Sequence, residues 1–131
     1  DEGFSNIDLC GAFNAEMAAK VSKATGGKID VKYTKYSPED SQRMDELESL
    51  KEYGIILMES PLTEIEWLHM KSDEFNTTVG LVNSLESACI AAKKMVDDGI
   101  VFIEMCRWFD KEKAEAVIDA IEGAVPVGYC G

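Results

Sequence analysis

Two short motifs in this chain set a carboxylate two residues before a thiol: Asp8 with Cys10, and Glu104 with Cys106. On a strand, residues i and i+2 face one side, so each acid projects together with its cysteine. Each pair closes a strand pattern, nearly continuously apolar in the second copy, and precedes a helical pattern, which puts it near the carboxyl end of a strand, where open α/β sheets gather their ligands. The helix N-terminus that follows has unbonded amides, which attract anions and lower the pKa of a nearby thiol. Gly11 and Ala12 let a ligand approach the backbone at the first motif, with Asn14 beside them, whereas Arg107 and Trp108 offer a cation and an aromatic wall at the second. The expectation is a small anionic ligand, a carboxylate or phosphate, at the Gly11 to Asn14 loop or around Arg107, with Asp8, Cys10, Gly11, Ala12 and Asn14 the candidate residues at the first place and Glu104, Cys106, Arg107 and Trp108 at the second. The acid in each motif opposes both anion binding and thiolate formation. The competing reading is therefore structural, with small buried cysteines closing strand-to-helix joints and the acids solvated or capping amides.

A catalytic reading needs a base. His69 is the only histidine, so a small cysteine-dependent enzyme would have to bring it to Cys10 or Cys106. Asp8, Cys10, Glu104, Cys106 and His69 are zinc-compatible types without diagnostic spacing, and neither GxGxxG nor a P-loop occurs, so no metal or cofactor is expected. Cys89 lies on an apolar helical stripe and reads as core, while Cys130 carries no signal of its own.

The elements that position these motifs come in two copies. Asp1 to Thr34 aligns without a gap on Asp97 to Cys130, with Ile7/Ile103, Cys10/Cys106, Phe13/Phe109, Ala18/Ala114, Val21/Val117, Gly27/Gly123, Val31/Val127 and Tyr33/Tyr129 among the identities. Each copy reads as strand, tight loop, helix, strand. In the second, Ile100 to Met105 is the strand, Asp110 the N-cap, Ala114, Val117, Ile118 and Ile121 the helical stripe, Gly123 the stop, and Val125 to Tyr129 the closing strand. The first copy follows the same plan with Asn14 as cap, Gly26 and Gly27 as stop and Ile29 to Tyr33 as strand, but Ser22 and Thr25 stand where the second has Ile118 and Ile121.

Between the copies, Ser37, Pro38 and Asp40 open an acidic surface helix expected to reach about Glu52. Gly54 to Met58 and Thr77 to Val82 are strands, Pro61 to Asn76 is ambiguous, and Asn83 or Ser84 caps a helix whose core face is Leu85, Ala88, Cys89, Ala92 and Val96. The fold class expected is α/β, with a largely parallel sheet of strand-loop-helix-strand repeats. Residues 53–131 form one complete unit; residues 1–52 supply the C-terminal half of a preceding unit and the acidic helix, and the two pack as one compact domain. Such a half unit is expected to belong to a longer chain or to be completed by a neighbouring molecule, the plainer alternative being a half copy retained as extra sheet edge.

IDLCGAFNAEMAAKVSKATGG, from Ile7, and the segment from Asp97 through VPVGY resemble an uncharacterised family of small bacterial and archaeal α/β proteins. Its repeats carry an acid-x-Cys-Gly-Gly/Ala-Phe-Gly loop and an Ala-rich helix. Asp8, Cys10, Gly11, Ala12 and Phe13 keep that loop, whereas Arg107 and Trp108 depart from it. The resemblance implies the fold and the duplication, and no activity.

Over 131 residues, 25 acids against 13 lysines and arginines give a net charge of -12, which repels a phosphate backbone and excludes nucleic acid as the expected partner. No apolar run has membrane-helix length and no signal-peptide pattern opens the chain, so the expected location is the cytoplasm, without membrane association. The functional expectation is a self-associating small protein, a homo-oligomer, that binds an anionic metabolite. The alternatives are the Cys10 or Cys106 enzyme with His69 and a structural subunit without a ligand.

Overall fold

The computed structural model describes residues 6–10 and 14–131. Its elements are β1 (Asn6–Leu9), α1 (Ala15–Ala24), β2 (Asp30–Tyr33), α2 (Pro38–Glu46), β3 (Glu52–Met58), β4 (Glu66–Lys71), β5 (Asn76–Val82), α3 (Leu85–Asp97), β6 (Phe102–Met105), α4 (Lys111–Ala120) and β7 (Val127–Tyr129). Each helix starts where a side chain takes up orphan amides: Asn14 accepts from Met17, Ser37 from Asp40, Ser84 from Ser87 and Asp110 from Lys113.

Five strands form one sheet in the order β4-β5-β3-β6-β7. β5, β3, β6 and β7 are mutually parallel and β4 is antiparallel to β5, so the sheet is mixed and the expectation of a largely parallel sheet is corrected. The added strand lies inside the ambiguous stretch. β4 (EWLHMK) is an edge strand exposed on nearly every residue, so no half-buried alternation marked it in the sequence. A four-residue turn joins it to β5, in which Ser72 Oγ accepts from the amides of Glu74 and Phe75. The first copy's strands pair separately, β1 parallel to β2, and the chain beyond β2 meets the large sheet at an antiparallel bridge between Lys35 and Tyr129.

Both crossover helices lie on one face of the large sheet. α3 carries the chain from β5 across β3 to β6, and its Met95 lies so close over Gly54 that an added Cβ would come within 2.5 Å of the sulfur. Ile56, Val82, Ala88, Ala91, Ala92, Met95, Ile103, Phe109 and Val117 make the core between sheet and helices. Cross-strand partners share a face, so Tyr53, Ile55, Leu57, Val79, Leu81, Leu68, Met70, Phe102 and Glu104 belong to the opposite one.

α2 ends at Glu46, short of the expected Glu52, with extended backbone at Leu47. Asp45, Glu46 and Glu48 crowd its C-terminus, where the helix dipole disfavours negative charge. Nor is α2 wholly superficial, because Asp40 is buried and its Oδ2 accepts from the backbone N–H of Val127, at the outer edge of β7. Among the described residues no helix is long and apolar enough to cross a membrane.

Candidate functional site

A cavity of about 240 Å³ opens where the carboxyl ends of β1 and β6 approach each other. Ile55 and Leu57 of β3 form one wall. The rest of the lining falls into four pairs, each 96 positions apart and so aligned in the duplication: Asp8 with Glu104, Leu9 with Met105, Cys10 with Cys106, and Thr34 with Cys130. The last pair is in contact, Thr34 Oγ1 lying 3.4 Å from Cys130 Sγ. Lys35 and Tyr129 exchange both backbone hydrogen bonds, 2.8 and 2.9 Å, so the chain runs antiparallel through this point and Thr34 stands opposite Cys130. At this point two positions that the alignment makes equivalent, Thr34 and Cys130, face one another across the antiparallel pair.

The two acids have different fates. Asp8 is held by Arg107, whose Nε donates to Oδ1 at 2.6 Å and whose backbone N–H donates to Oδ2 at 3.1 Å. The same guanidinium donates to Asp30 Oδ2 at 2.5 Å and to the carbonyls of Ile7 and Asp30 at 3.0 Å, clamping β6 to both strands of the small sheet. Burial opposes this charge, but the hydrogen bonds and charges of Asp8 and Asp30 outweigh it and raise the Arg107 pKa above its ordinary value. Glu104, only 9% exposed, receives the Tyr36 hydroxyl on Oε2 at 2.5 Å. Burial first, and then the Glu104 charge and hydrogen bond, push the Tyr36 pKa far above normal, so the phenol stays a donor.

Tyr36 reaches Glu104 by crossing Gly128, the cross-strand partner of Glu104 on β7. A Cβ there would meet Thr34 Cγ2 at 2.5 Å and the Tyr36 ring at 2.8 Å, so the close approach requires glycine.

The thiols differ in exposure. Cys10 is exposed, Cys106 half-buried with its Sγ 3.4 Å from the Met58 amide, and Cys130 buried. Burial raises the Cys130 pKa, against a lowering hydrogen bond from Thr34. Cys89 packs partly buried against the core from α3, and burial raises its pKa too.

The remaining candidates lie elsewhere or are engaged. Gly11 and Ala12 lie outside the described residues, as does Phe13. Asn14 caps α1 and Asp110 caps α4, so one amide of each helix N-terminus already has a side-chain partner, Met17 in α1 and Lys113 in α4. Arg107 and Trp108 are not part of the cavity lining; Trp108 sits against Phe109 with Lys113 Nζ 4.0 Å from its ring centroid. His69 is exposed on β4, its Nδ1 3.4 Å from Thr78 Oγ1, and β5 and β3 stand between it and β6. Three strand spacings of about 4.8 Å keep it from Cys106. Among the described residues no cluster of three or more His, Cys, Asp or Glu could hold a metal ion.

Family comparison matches residues 1–49 and 51–131 to DUF6506, a family of unknown function. The chain belongs to that family. The match falls in two segments that divide between α2 and β3, consistent with repetition within a DUF6506 chain. No curated protein matches, and no solved structure matches.

Sequence reasoning passed over Thr34, Cys130, Asp30 and Tyr36. Thr34 and Cys130 are the last aligned pair of the duplication, and that shared position was the available signal. Tyr36 lies beyond the aligned segment and had none.

Proposed function

We propose that this protein binds a small, largely apolar molecule in the cavity where its two aligned segments meet. The observation that carries this reading is the lining, where equivalent positions of both segments converge on one volume at strand carboxyl ends. A volume of about 240 Å³ falls below the roughly 300–1,000 Å³ of drug-sized pockets and suits a small metabolite. Leu9, Ile55, Leu57 and Met105 supply apolar wall, and Glu104 supplies a fixed acceptor.

The charge of the ligand follows from the partners already present. Arg107, the cation that suggested an anionic ligand, is committed to Asp8 and Asp30, and the cavity's own ionisable oxygens are carboxylates. An anion would meet like charge, so the favoured ligand is neutral or cationic and turns a hydrogen-bond donor, a hydroxyl or an amine, toward Glu104.

The test is an amide NMR titration of the full chain with small aliphatic alcohols, amines and carboxylates. Alcohols or amines should shift Leu9, Thr34, Met105 and Cys106, and Glu104→Gln should weaken the amine response at least about tenfold, consistent with loss of a charged hydrogen bond. Shifts from carboxylates alone, or from none of the three classes, would overturn the ligand reading.

A further inference from the structure

We infer that the ligand of this cavity carries a donor at each end and belongs to the short aliphatic diamines, an inference that rests on the cavity reading above and names its ligand more closely. Two carboxylates enter the lining from different elements, Asp8 from β1 and Glu104 from β6. They occupy aligned positions, so the duplication brings the same kind of acceptor to one volume twice. Leu9, Met105, Ile55 and Leu57 give that volume its apolar wall. A ligand complementary to both features has two donor ends joined by methylene groups. Asp8 is bonded to the backbone N–H of Arg107, three residues along the chain from Glu104. That is at most about 10 Å of extended chain, a span that about four carbons cover with a hydrogen bond of about 2.8 Å at each end.

Asp8 keeps room for a further donor. Arg107 places one N–H on each of its oxygens, whereas a carboxylate offers about four lone-pair sites, and Asp8 is 28% exposed. Charge selects ammonium over hydroxyl. Arg107 answers two carboxylates, Asp8 and Asp30, with one positive charge, and the Tyr36 hydroxyl gives Glu104 a hydrogen bond that carries none. Lys35 Nζ donates to the carbonyls of Cys130 and Gly131. Among the described residues the lining holds two acids and no lysine or arginine. An ammonium at each end therefore makes charge-assisted hydrogen bonds that a diol cannot match. The net charge of -12 raises the local concentration of a dication before it binds.

Isothermal titration calorimetry of the full chain, at matched ionic strength, compares α,ω-diaminobutane with three probes. Butylamine has one donor end, butanol has one and no charge, and the bis-trimethylammonium analogue of the diamine keeps both charges without an N–H donor. The diamine should bind at least about tenfold tighter than butylamine or the quaternary analogue, consistent with one further charged hydrogen bond. Asp8→Asn should bring the diamine down to the level of butylamine, and Glu104→Gln should weaken both amines. Glu86→Gln, at an exposed acid of α3 outside the lining, should change neither. Thermal melts establish that each variant is folded, and if Asp8→Asn is not, the wild-type preference for the diamine decides. Equal binding of the diamine and butylamine, or of the diamine and its quaternary analogue, overturns the two-ended ligand and leaves the cavity reading standing. No response to either amine or to butanol overturns both.

Discussion

The segments β1-α1-β2 and β6-α4-β7 have one topology and aligned sequences, yet they carry unequal shares of the structure. α4 buries Ala114 and Val117, with Ile121 just beyond its end, against α3 and the large sheet. α1, with Ser22 and Thr25 at the positions of Ile118 and Ile121, buries only Ala18. A helix needs a partner for its apolar stripe; among the described residues α1 packs chiefly on β2, whereas α4 packs on α3 as well as on β7. The acids diverge in the same way. Glu104 lies beside Gly128, over which Tyr36 reaches it, whereas Asp8 is taken by Arg107, which stands where the first copy has Gly11. Both motifs line the cavity, but only the first is also half of a clamp. Acid-x-Cys in a sequence therefore names a location rather than a role; the role is set by what the partner elements bring to the carboxylate.

The largest effect should come from breaking that clamp. Arg107→Ala removes two ion pairs and two carbonyl hydrogen bonds, leaves Asp8 partly buried, and should destabilise the chain by about 2–4 kcal/mol in urea denaturation. Because Asp30 is 62% exposed, most of the loss is attributed to Asp8 and the carbonyls. Hydrogen exchange should accelerate at Thr34, whose N–H donates to Leu9, while β3 amides stay protected. Equal acceleration in both would show that the clamp holds the whole fold rather than one copy against the other.

Truncation at matched positions sharpens the comparison. Val117→Ala should cost about 2 kcal/mol, the lost methyl groups plus a cavity, and Val21→Ala at the equivalent site of α1 less than about 1 kcal/mol. Val117 is fully buried and Val21 is not. Equal costs would contradict the unequal burial of the two helices.

A smaller effect separates the acids by pH. The folded-state pKa of Tyr36 lies above its ordinary value of 10.0. Its contribution is complete below the unfolded-state pKa and is lost as pH rises above about 10, where only the unfolded chain deprotonates. Wild-type stability should therefore fall more steeply between about pH 9.5 and 11 than that of Tyr36→Phe. The two curves should differ by about 1.5 kcal/mol at neutral pH, the lower end of the worth of a hydrogen bond to a charged group. Parallel curves would mean that Tyr36 is not bound to Glu104.

Much of this arrangement was legible in the residues. Caps at Asn14, Ser37, Ser84 and Asp110, the apolar runs of β3 and β5 and the α3 stripe mark their elements because local chemistry and burial agree there. β4 was not legible, since an edge strand exposed on both faces has no period to read. The placement of Asp8 with Cys10 and of Glu104 with Cys106 at strand ends was legible, but their convergence on one cavity and the Arg107 clamp were not. Arg107 reaches Asp30 through tertiary contact alone, and no local spacing encodes it. Tyr36 was invisible for the same reason, although Gly128, where the first copy has Lys32, marks a place that something crosses.

The central claim is that the two copies face each other across Thr34 and Cys130. The most direct measurement is disulfide formation in Thr34→Cys under mild oxidation, read by peptide mass mapping. Flanking the bonded pair Lys35 and Tyr129, Thr34 and Cys130 occupy a narrow antiparallel position, with an expected Cα separation of about 4.5 Å, within the range a disulfide spans. The account predicts one intramolecular bond between the new cysteine and Cys130, with Cys10, Cys89 and Cys106 left as thiols. Thiols that stay unbonded, or a bond to Cys10 or Cys106 instead, would contradict it.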